Sequence, residues 1–260
     1  MKKAIILFVA FMAIVSMSSC RIEKVYGGSD DVLTHKLNLK GFTSVSNAGS
    51  CDVHFTQSPT YKVTLKASQR WYDSHAISVE DGTLVIRGKG SGQKQKGVSV
   101  INMTGHDGSA EIWVSAPSLE AVSMSGSGDF TLDNNFKGKD LTVSVCGSSV
   151  VKMKDITLSG NFEYTVSGSG DVEMGTFKAN NANIAIFGSG DVESKLVNVA
   201  QTNVHVSGSG DANLDFSDCG DAQVSVTGSG DITLSGQLQT LSKQVSGSGD
   251  VNTMKLRLGK

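Results

Sequence analysis

The chain has 260 residues, which is enough for one large domain or two small ones. It contains 30 glycines and 2 prolines and carries a formal net charge of −2. A mildly acidic chain lacks the positive footprint of a nucleic-acid-binding protein, so we expect no nucleic-acid partner.

The first twenty residues, MKKAIILFVAFMAIVSMSSC, have the pattern of an export signal. Lys2 and Lys3 precede an apolar run, 4–15, which is too short to span a bilayer and matches the h-region of a signal peptide. The last four residues, MSSC, resemble a bacterial lipobox, although Met17 stands where leucine is usual. The resemblance implies that residues 1–19 are a lipoprotein signal peptide, removed before Cys20. An ordinary signal peptide with an incidental cysteine is the alternative.

Residues 20–31 are predicted to be a lipidated cysteine followed by a short polar tether. A lipid on the sulfur of Cys20 would anchor the protein to a membrane without a transmembrane helix. Arg21 follows the cysteine, so no aspartate is present there to indicate retention in the inner membrane. We therefore expect an exported lipoprotein in the outer membrane, on its periplasmic or cell-surface side.

Residues 32–120 are predicted to be a β-rich region with irregular spacing. The segments YKVTLKAS, GTLVIRG and AEIWVSAP have the composition of strands, and GKGSGQKQKG at 88–97 is typical of a solvated basic loop. The stretch FTSVSNAGSCDVHFTQ, 42–57, contains Gly49-Ser50-Cys51-Asp52, an imperfect copy of a sequence that recurs later in the chain.

Residues 121–260 repeat one glycine-rich phrase at intervals of 21, 21, 20, 20, 20 and 19 residues. Self-similarity at a fixed period near 20 indicates a solenoid. The copies are SGSGD at 125–129, CGSSV at 146–150, SGSGD at 167–171, FGSGD at 187–191, SGSGD at 207–211, TGSGD at 227–231 and SGSGD at 246–250.

Apolar residues alternate with polar ones on both sides of each phrase, as they do in strands with one buried face. Two short strands joined at a glycine corner, followed by a looser third side, account for one coil of about 20 residues. Stacked coils bury a column that no single coil could bury, so the pattern predicts an all-β chain folded as a parallel β-helix. The inner column is predicted to contain Val145, Val166, Ile186, Val206 and Val226, and the third side Phe136, Ile156, Phe177, Val197, Phe216 and Leu238.

An acidic column accompanies the glycines and is interrupted only at Val150. Its members are Asp129, Asp171, Asp191, Asp211, Asp231 and Asp250. Carboxylates at the strand spacing of about 4.8 Å repel each other by about 1 kcal/mol per pair in water. Capping of the turn offsets this repulsion if each carboxylate accepts from a backbone N–H group two residues on. The alternative is a bound Ca²⁺ ion, which prefers clustered carboxylates; its candidate ligands are Asp171, Asp191, Asp211, Asp231 and Asp250. No other cofactor is predicted.

The remaining cysteines and the histidines do not form a recognisable site. Cys51, Cys146 and Cys219 are odd in number and lack a CxxC spacing, so we expect free and mostly buried thiols. The histidines are scattered and are interpreted as surface or packing residues. They are His35, His54, His75, His106 and His205.

The segment IWVSAPSLEAVSMSGSGDF, 112–130, and the glycine phrases after it resemble the bacterial family of auto-transporter adhesins with a head GIN domain. FTSVSNAGSCDVHFTQ matches the same family, and the resemblance covers residues 40–258. It implies a right-handed parallel β-helix similar to that of pectin lyases, and export with lipid anchoring in Bacteroides-type bacteria. Adhesion is the role proposed for that family, and no catalytic residues carry over.

Three functions are compatible with these features: an adhesin or glycan- and surface-binding scaffold, a polysaccharide-active enzyme of pectin-lyase-like fold, and a purely structural envelope protein. A repetitive surface suits multivalent contact with a repeating ligand. Catalysis requires a unique constellation of acid, base and stabiliser, whereas this acidic column repeats without a distinguished member. We therefore favour the adhesin and expect no enzymatic activity.

Overall fold

A computed structural model describes residues 22–23, 31–89 and 109–259 of the protein. The signal peptide, Cys20, His106 and most of the basic loop lie outside these residues, as does most of the tether. The two tether residues that are described form β1.

The first half of the described chain contains eleven strands and one short helix. In chain order these are β1 (Ile22–Glu23), β2 (Val32–Leu37), β3 (Ser44–Ala48), β4 (Cys51–Gln57), β5 (Lys62–Ser68), α1 (Gln69–Ser74), β6 (His75–Glu80), β7 (Thr83–Gly88), β8 (Ala110–Ala116), β9 (Ala121–Met124), β10 (Phe130–Leu132) and β11 (Phe136–Gly138).

The second half consists of strands that lengthen toward the C-terminus. They are β12 (Leu141–Val145), β13 (Val151–Met153), β14 (Ile156–Leu158), β15 (Asn161–Gly168), β16 (Val172–Lys178), β17 (Asn181–Gly188), β18 (Val192–Val197), β19 (Gln201–Gly208), β20 (Ala212–Gly228), β21 (Ile232–Gly247) and β22 (Val251–Leu258).

All of these strands belong to one continuous sheet that is coiled into a β-solenoid of about seven turns. From β9 onward each strand pairs in parallel with the equivalent strand of the next coil, about 20 residues later. The predicted all-β fold of stacked parallel coils is therefore confirmed.

The core is a set of apolar columns that run along the solenoid axis. Val166 pairs with Ile186, which pairs with Val206, and the whole predicted inner column from Val145 to Val226 is at most 1% exposed. Full burial of a valine or isoleucine side chain stabilises a fold by about 1.5–3 kcal/mol. Because every coil contributes equivalent side chains, the hydrophobic stabilisation is distributed along the solenoid.

The third side departs from the predicted column at two places. Leu196, and not Val197, lies between Phe177 and Phe216, because the pairing of β16 with β18 shifts register between Glu173 and Thr176. A shift of one residue in a strand exchanges its buried and exposed faces. Leu238 is buried, but it pairs with Cys219, while Gly236 pairs with Phe216.

The N-terminal end is built from coils that do not follow chain order. The β3–β4 coil lies between the β7–β8 coil on one side and the β9–β10 coil on the other, with all these pairings parallel. Its corner, with Gly49 and Asp52, lies against the corner of residues 126–129. The imperfect copy of the glycine phrase therefore forms a corner equivalent to those of the repeats. Residues 89–109 join β7 to β8 where other coils have this short corner.

Antiparallel strands cover the outer edges of this end. β5 pairs with β8, β2 with β5, and β6 with β7. Helix α1 begins after Ser68, whose hydroxyl accepts a hydrogen bond from the backbone N–H of Trp71, and it buries the Trp71 side chain. At the opposite end, β22 and residues 240–247 of β21 pair only with the preceding coil in the described chain.

Candidate ligand-binding groove and the glycine corners

The glycines of each corner lie where successive backbones approach most closely. Gly208 has φ +141°, and a Cβ atom added to it would collide with the carbonyl oxygen of Gly188 one coil below. The second glycine, Gly210, would collide in the same way with Gly190. These positions require glycine because it alone lacks a Cβ atom. The phrase is therefore structural at its glycines.

The corner carboxylates accept hydrogen bonds from the next coil. The sequence had predicted that each would cap its own turn, and that prediction is wrong for these residues. The Oδ1 atom of Asp191 accepts from the backbone N–H of Asp211 at 2.8 Å, and Asp211 accepts from Asp231 in the same way. Equivalent bonds of 2.8–3.0 Å join Asp171 to Asp191 and Asp231 to Asp250. The carboxylates of Asp52 and Asp129 accept in the same way from the backbone N–H groups of Asp129 and Val150. These charge-assisted bonds offset the repulsion along the column.

Of the calcium candidates, Asp171 is half-buried, while Asp191, Asp211, Asp231 and Asp250 are exposed. Across residues 31–89 and 109–259, no three His, Cys, Asp or Glu side chains are grouped as metal ligands would be. Calcium binding by this column stays a prediction. Thermal unfolding of the protein with and without a chelator would test it.

An open groove of about 470 Å³ lies on the outer face of the strands that precede the corners. It crosses five coils, from β15 to the second half of β21, and its volume is in the range of small-ligand sites. Its first row of outward side chains is Glu163, Asn183, Asn203, Gln223 and Ser242, and its second row is Thr165, Ala185, His205, Ser225 and Gln244.

The groove is polar but almost uncharged. Its lining contains amides and hydroxyls and a single carboxylate, that of Glu163. The Nδ2 atom of Asn203 donates to Oδ1 of Asn183 at 2.8 Å, and His205 Nδ1 lies 2.8 Å from Ser225 Oγ. Since each amide has further donor and acceptor capacity, the face can form hydrogen bonds with a hydroxylated ligand.

One aromatic side chain borders the groove. Phe187 continues the outward row of β17 beyond Ala185, is 45% exposed, and its ring centroid lies 5.7 Å from that of His205. Every other coil of the 121–260 repeat has a small side chain at this position, namely Ser125, Cys146, Ser167, Ser207, Thr227 and Ser246. Phe187 therefore distinguishes one coil from the others.

This groove could not be predicted from the sequence. The alternation of apolar and polar residues predicts only that one face of each strand is buried, and FGSGD is simply one copy of the repeated phrase. Two signals were present: amide side chains recurring 20 residues apart, and an aromatic residue in a column of small ones. Both become meaningful only when the register places Asn183, Asn203 and Phe187 on one surface.

The cysteines are free, as expected, but they differ in environment. Cys51 and Cys219 are buried, and burial raises the pKa of Cys51 to about 12. Cys146 is exposed because it occupies the same outward corner position as Phe187. No described helix is long and apolar enough to cross a membrane.

The described histidines serve mainly in packing. His35 stacks on Tyr72, His54 on Trp113 and His75 on Trp71, with ring centroids 4.1, 5.2 and 3.8 Å apart. Only His205 lines the groove.

Several solved structures share this fold. A "putative adhesin" from Bacteroides fragilis has 20% identity and a TM-score of 0.72 over 85% of this chain and 96% of its own. One from Parabacteroides distasonis has 20% identity and a TM-score of 0.62, over 86% and 98%. A "putative lipid binding protein" from the same species has 21% identity and a TM-score of 0.59, over 85% and 96%. These similarities show a common fold.

No curated protein matches the chain. A family model does match it, over residues 41–217 and again over 194–260, and its description is "Putative auto-transporter adhesin, head GIN domain". The two matches together cover the solenoid and extend into the N-terminal coils. The chain therefore belongs to the family of auto-transporter adhesins with a head GIN domain.

Proposed function

We propose that this protein is a lipid-anchored adhesin of the outer membrane that binds an uncharged polysaccharide in the groove beside Phe187. The observation that carries the proposal is the combination of stacked amides with one exposed aromatic ring. Amide groups can bond to sugar hydroxyls, and the apolar face of a pyranose ring can pack on the phenyl ring. Family membership supports adhesion as the general role.

The composition of the groove favours binding over hydrolysis. Most glycoside hydrolases use a pair of carboxyl groups that flank the scissile bond. The described lining of the groove has Glu163 alone, at its edge coil. An open groove lined by amides and hydroxyls also suits a sugar better than an acyl chain, so the lipid binding named for one relative is not part of the proposal.

The ligand is tested with the full-length protein purified in detergent. Glycan-array screening identifies a binding polysaccharide, and calorimetry with an oligosaccharide of it then compares the wild type with Phe187→Ser. Serine is the usual residue of this column, so the fold should be retained. Loss of the stacking contact should weaken binding about tenfold or more, which corresponds to about 1.4 kcal/mol.

Cys146→Ser is the matched control. It places the usual serine of the Phe187 column in a coil outside the groove, so the affinity of this variant should equal that of the wild type. Unchanged affinity in Phe187→Ser, or release of reducing sugars by the wild type, would contradict the proposal.

The anchor is tested separately at Cys20. The Cys20→Ala variant should remain uncleaved or leave the membrane fraction, whereas mass spectrometry of the native protein should find acyl chains on the N-terminal cysteine. Wild-type protein that lacks a lipid would overturn the anchor and leave the groove unaffected.

A further inference from the structure

The C-terminal end of the described solenoid has open strand edges. Residues 240–247 of β21 pair with β20 on one side only, and the described chain has no strand on the other. Three of the five large apolar side chains exposed on the described surface belong to this last coil: Val245, Met254 and Leu258, at 42%, 88% and 57%. Unpaired edges of this kind are templates for a further strand, including one from a second copy of the chain.

One side chain on this end breaks the pattern of the core. The inward positions of the last coil are Leu241, Lys243 and Val245, which pair with Ala222, Val224 and Val226. Lys243 therefore continues a column whose earlier members, Val143, Tyr164, Ile184, Val204 and Val224, are all buried. At the open end its ammonium group is exposed to solvent.

A coil stacked on this edge would enclose that ammonium group. Burial of a charge is strongly unfavourable unless a partner is provided, and no described carboxylate lies within ion-pair distance of Lys243. Two copies that met end to end would also bring like charges together, since residues 232–258 contain Lys243, Lys255 and Arg257 against Asp250 alone. Inward-pointing charges on edge strands are a known means of preventing such pairing.

We propose that Lys243 prevents a second copy of this chain from stacking on the C-terminal end of the solenoid. The end face therefore disfavours association with a second copy of the chain, although its apolar residues remain exposed. Replacement of Lys243 by valine, the commonest residue of its column, would complete an apolar row with Leu241 and Val245.

The test is the mass of the full-length protein in detergent, measured by sedimentation over a range of concentrations. The wild type should be monomeric, and Lys243→Val should form dimers or larger species at concentrations where the wild type does not. Lys255→Val is the matched control, since it removes one cation from the same coil at an outward position, and it should remain monomeric.

A second variant locates the association. The double variant Lys243→Val/Val245→Lys returns a lysine to the next inward position of the same strand and should restore the monomer. The proposal is overturned if Lys243→Val stays monomeric, if the wild type already associates, or if either the control or the double variant associates as Lys243→Val does.

Discussion

Tyr164 is a polar residue in an apolar column. Its side chain is fully buried between Val143 and Ile184, and its hydroxyl has no hydrogen-bond partner among the described residues. Burial raises the pKa of Tyr164 well above its usual range, so the hydroxyl stays neutral. A buried donor without a partner lowers the stability of the folded state by about 1–3 kcal/mol.

We therefore expect Tyr164→Phe to increase the free energy of unfolding by about 1 kcal/mol, because it removes an unsatisfied group and keeps the ring. Urea denaturation measures the change. Tyr61→Phe, at a half-buried ring, is the control and should have little effect. A clear loss of stability in Tyr164→Phe would mean that the hydroxyl is bonded after all.

His35 makes the stability depend on pH. Its ring is 1% exposed, and desolvation lowers its pKa, an effect that the nearby charge of Asp73 opposes only in part. In the unfolded chain the pKa of histidine is about 6.5. Between that value and the lower folded value, the unfolded state binds a proton that the folded state does not, so stability falls as the pH decreases below about 6.5.

Denaturation curves between pH 7.5 and 5 should show this loss of stability in the wild type. In His35→Phe, which keeps a ring against Tyr72 but cannot titrate, the loss should be smaller. An equal pH dependence in both proteins would assign the effect to other groups.

At the scale of the strand and its corner, the first glycine of each phrase is the most demanding position. Gly208→Ala should destabilise the protein by about 2–5 kcal/mol, because the residue must keep a positive φ and its Cβ atom would meet the backbone of Gly188. Thermal or urea unfolding measures the loss.

Gly49→Ala is the matched control from the equivalent corner of the β3–β4 coil. An added Cβ atom there meets only the Asn47 side chain, at 3.9 Å, and φ is not positive. We expect a change within about 0.5 kcal/mol. Similar losses in both variants would show that glycine is required at these corners for a reason other than stacking.

The sequence predicted the strands and columns wherever its period was regular. Val206 and its equivalents could be placed because alternation and the 20-residue interval agree. Leu196 was missed because a bulge is a local change of register, which leaves no mark in a pattern of apolar residues. The bonding of the aspartates was also missed, since Asp191 bonds with a residue 20 positions away and a sequence motif suggests only local partners.

At the scale of the whole molecule, the groove is longer than one sugar. It crosses five coils, and neighbouring coils are about 4.8 Å apart, so the bound ligand could extend along about 19 Å. We expect affinity for oligosaccharides of the bound polysaccharide to increase with length until this span is filled and then to level off. Calorimetry over a length series measures this, and full affinity for a monosaccharide would contradict it.

The site and the arrangement of the N-terminal coils could not be predicted at this scale. The insertion of the β3–β4 coil depends on pairings such as Cys51 with Ala110 and Val53 with Phe130, which join distant parts of the chain. Residues 42–57 form the first coil in chain order. Nothing in their local pattern indicates that this coil lies between two others in the solenoid. The groove likewise exists only after β15 to β21 have been aligned.

The inserted coil affects the order in which parts of the chain can fold. In a chain that is made from its N-terminus, β4 appears early. The hydrogen bond that the Asp52 carboxylate accepts from the backbone N–H of Asp129 cannot form until 77 more residues are present. In the repeats the corresponding bond spans 20 residues, so closing each later coil costs less chain entropy. We expect the N-terminal coils to close only after the first repeats have been synthesised. A chain stopped before residue 110 should accordingly remain sensitive to protease.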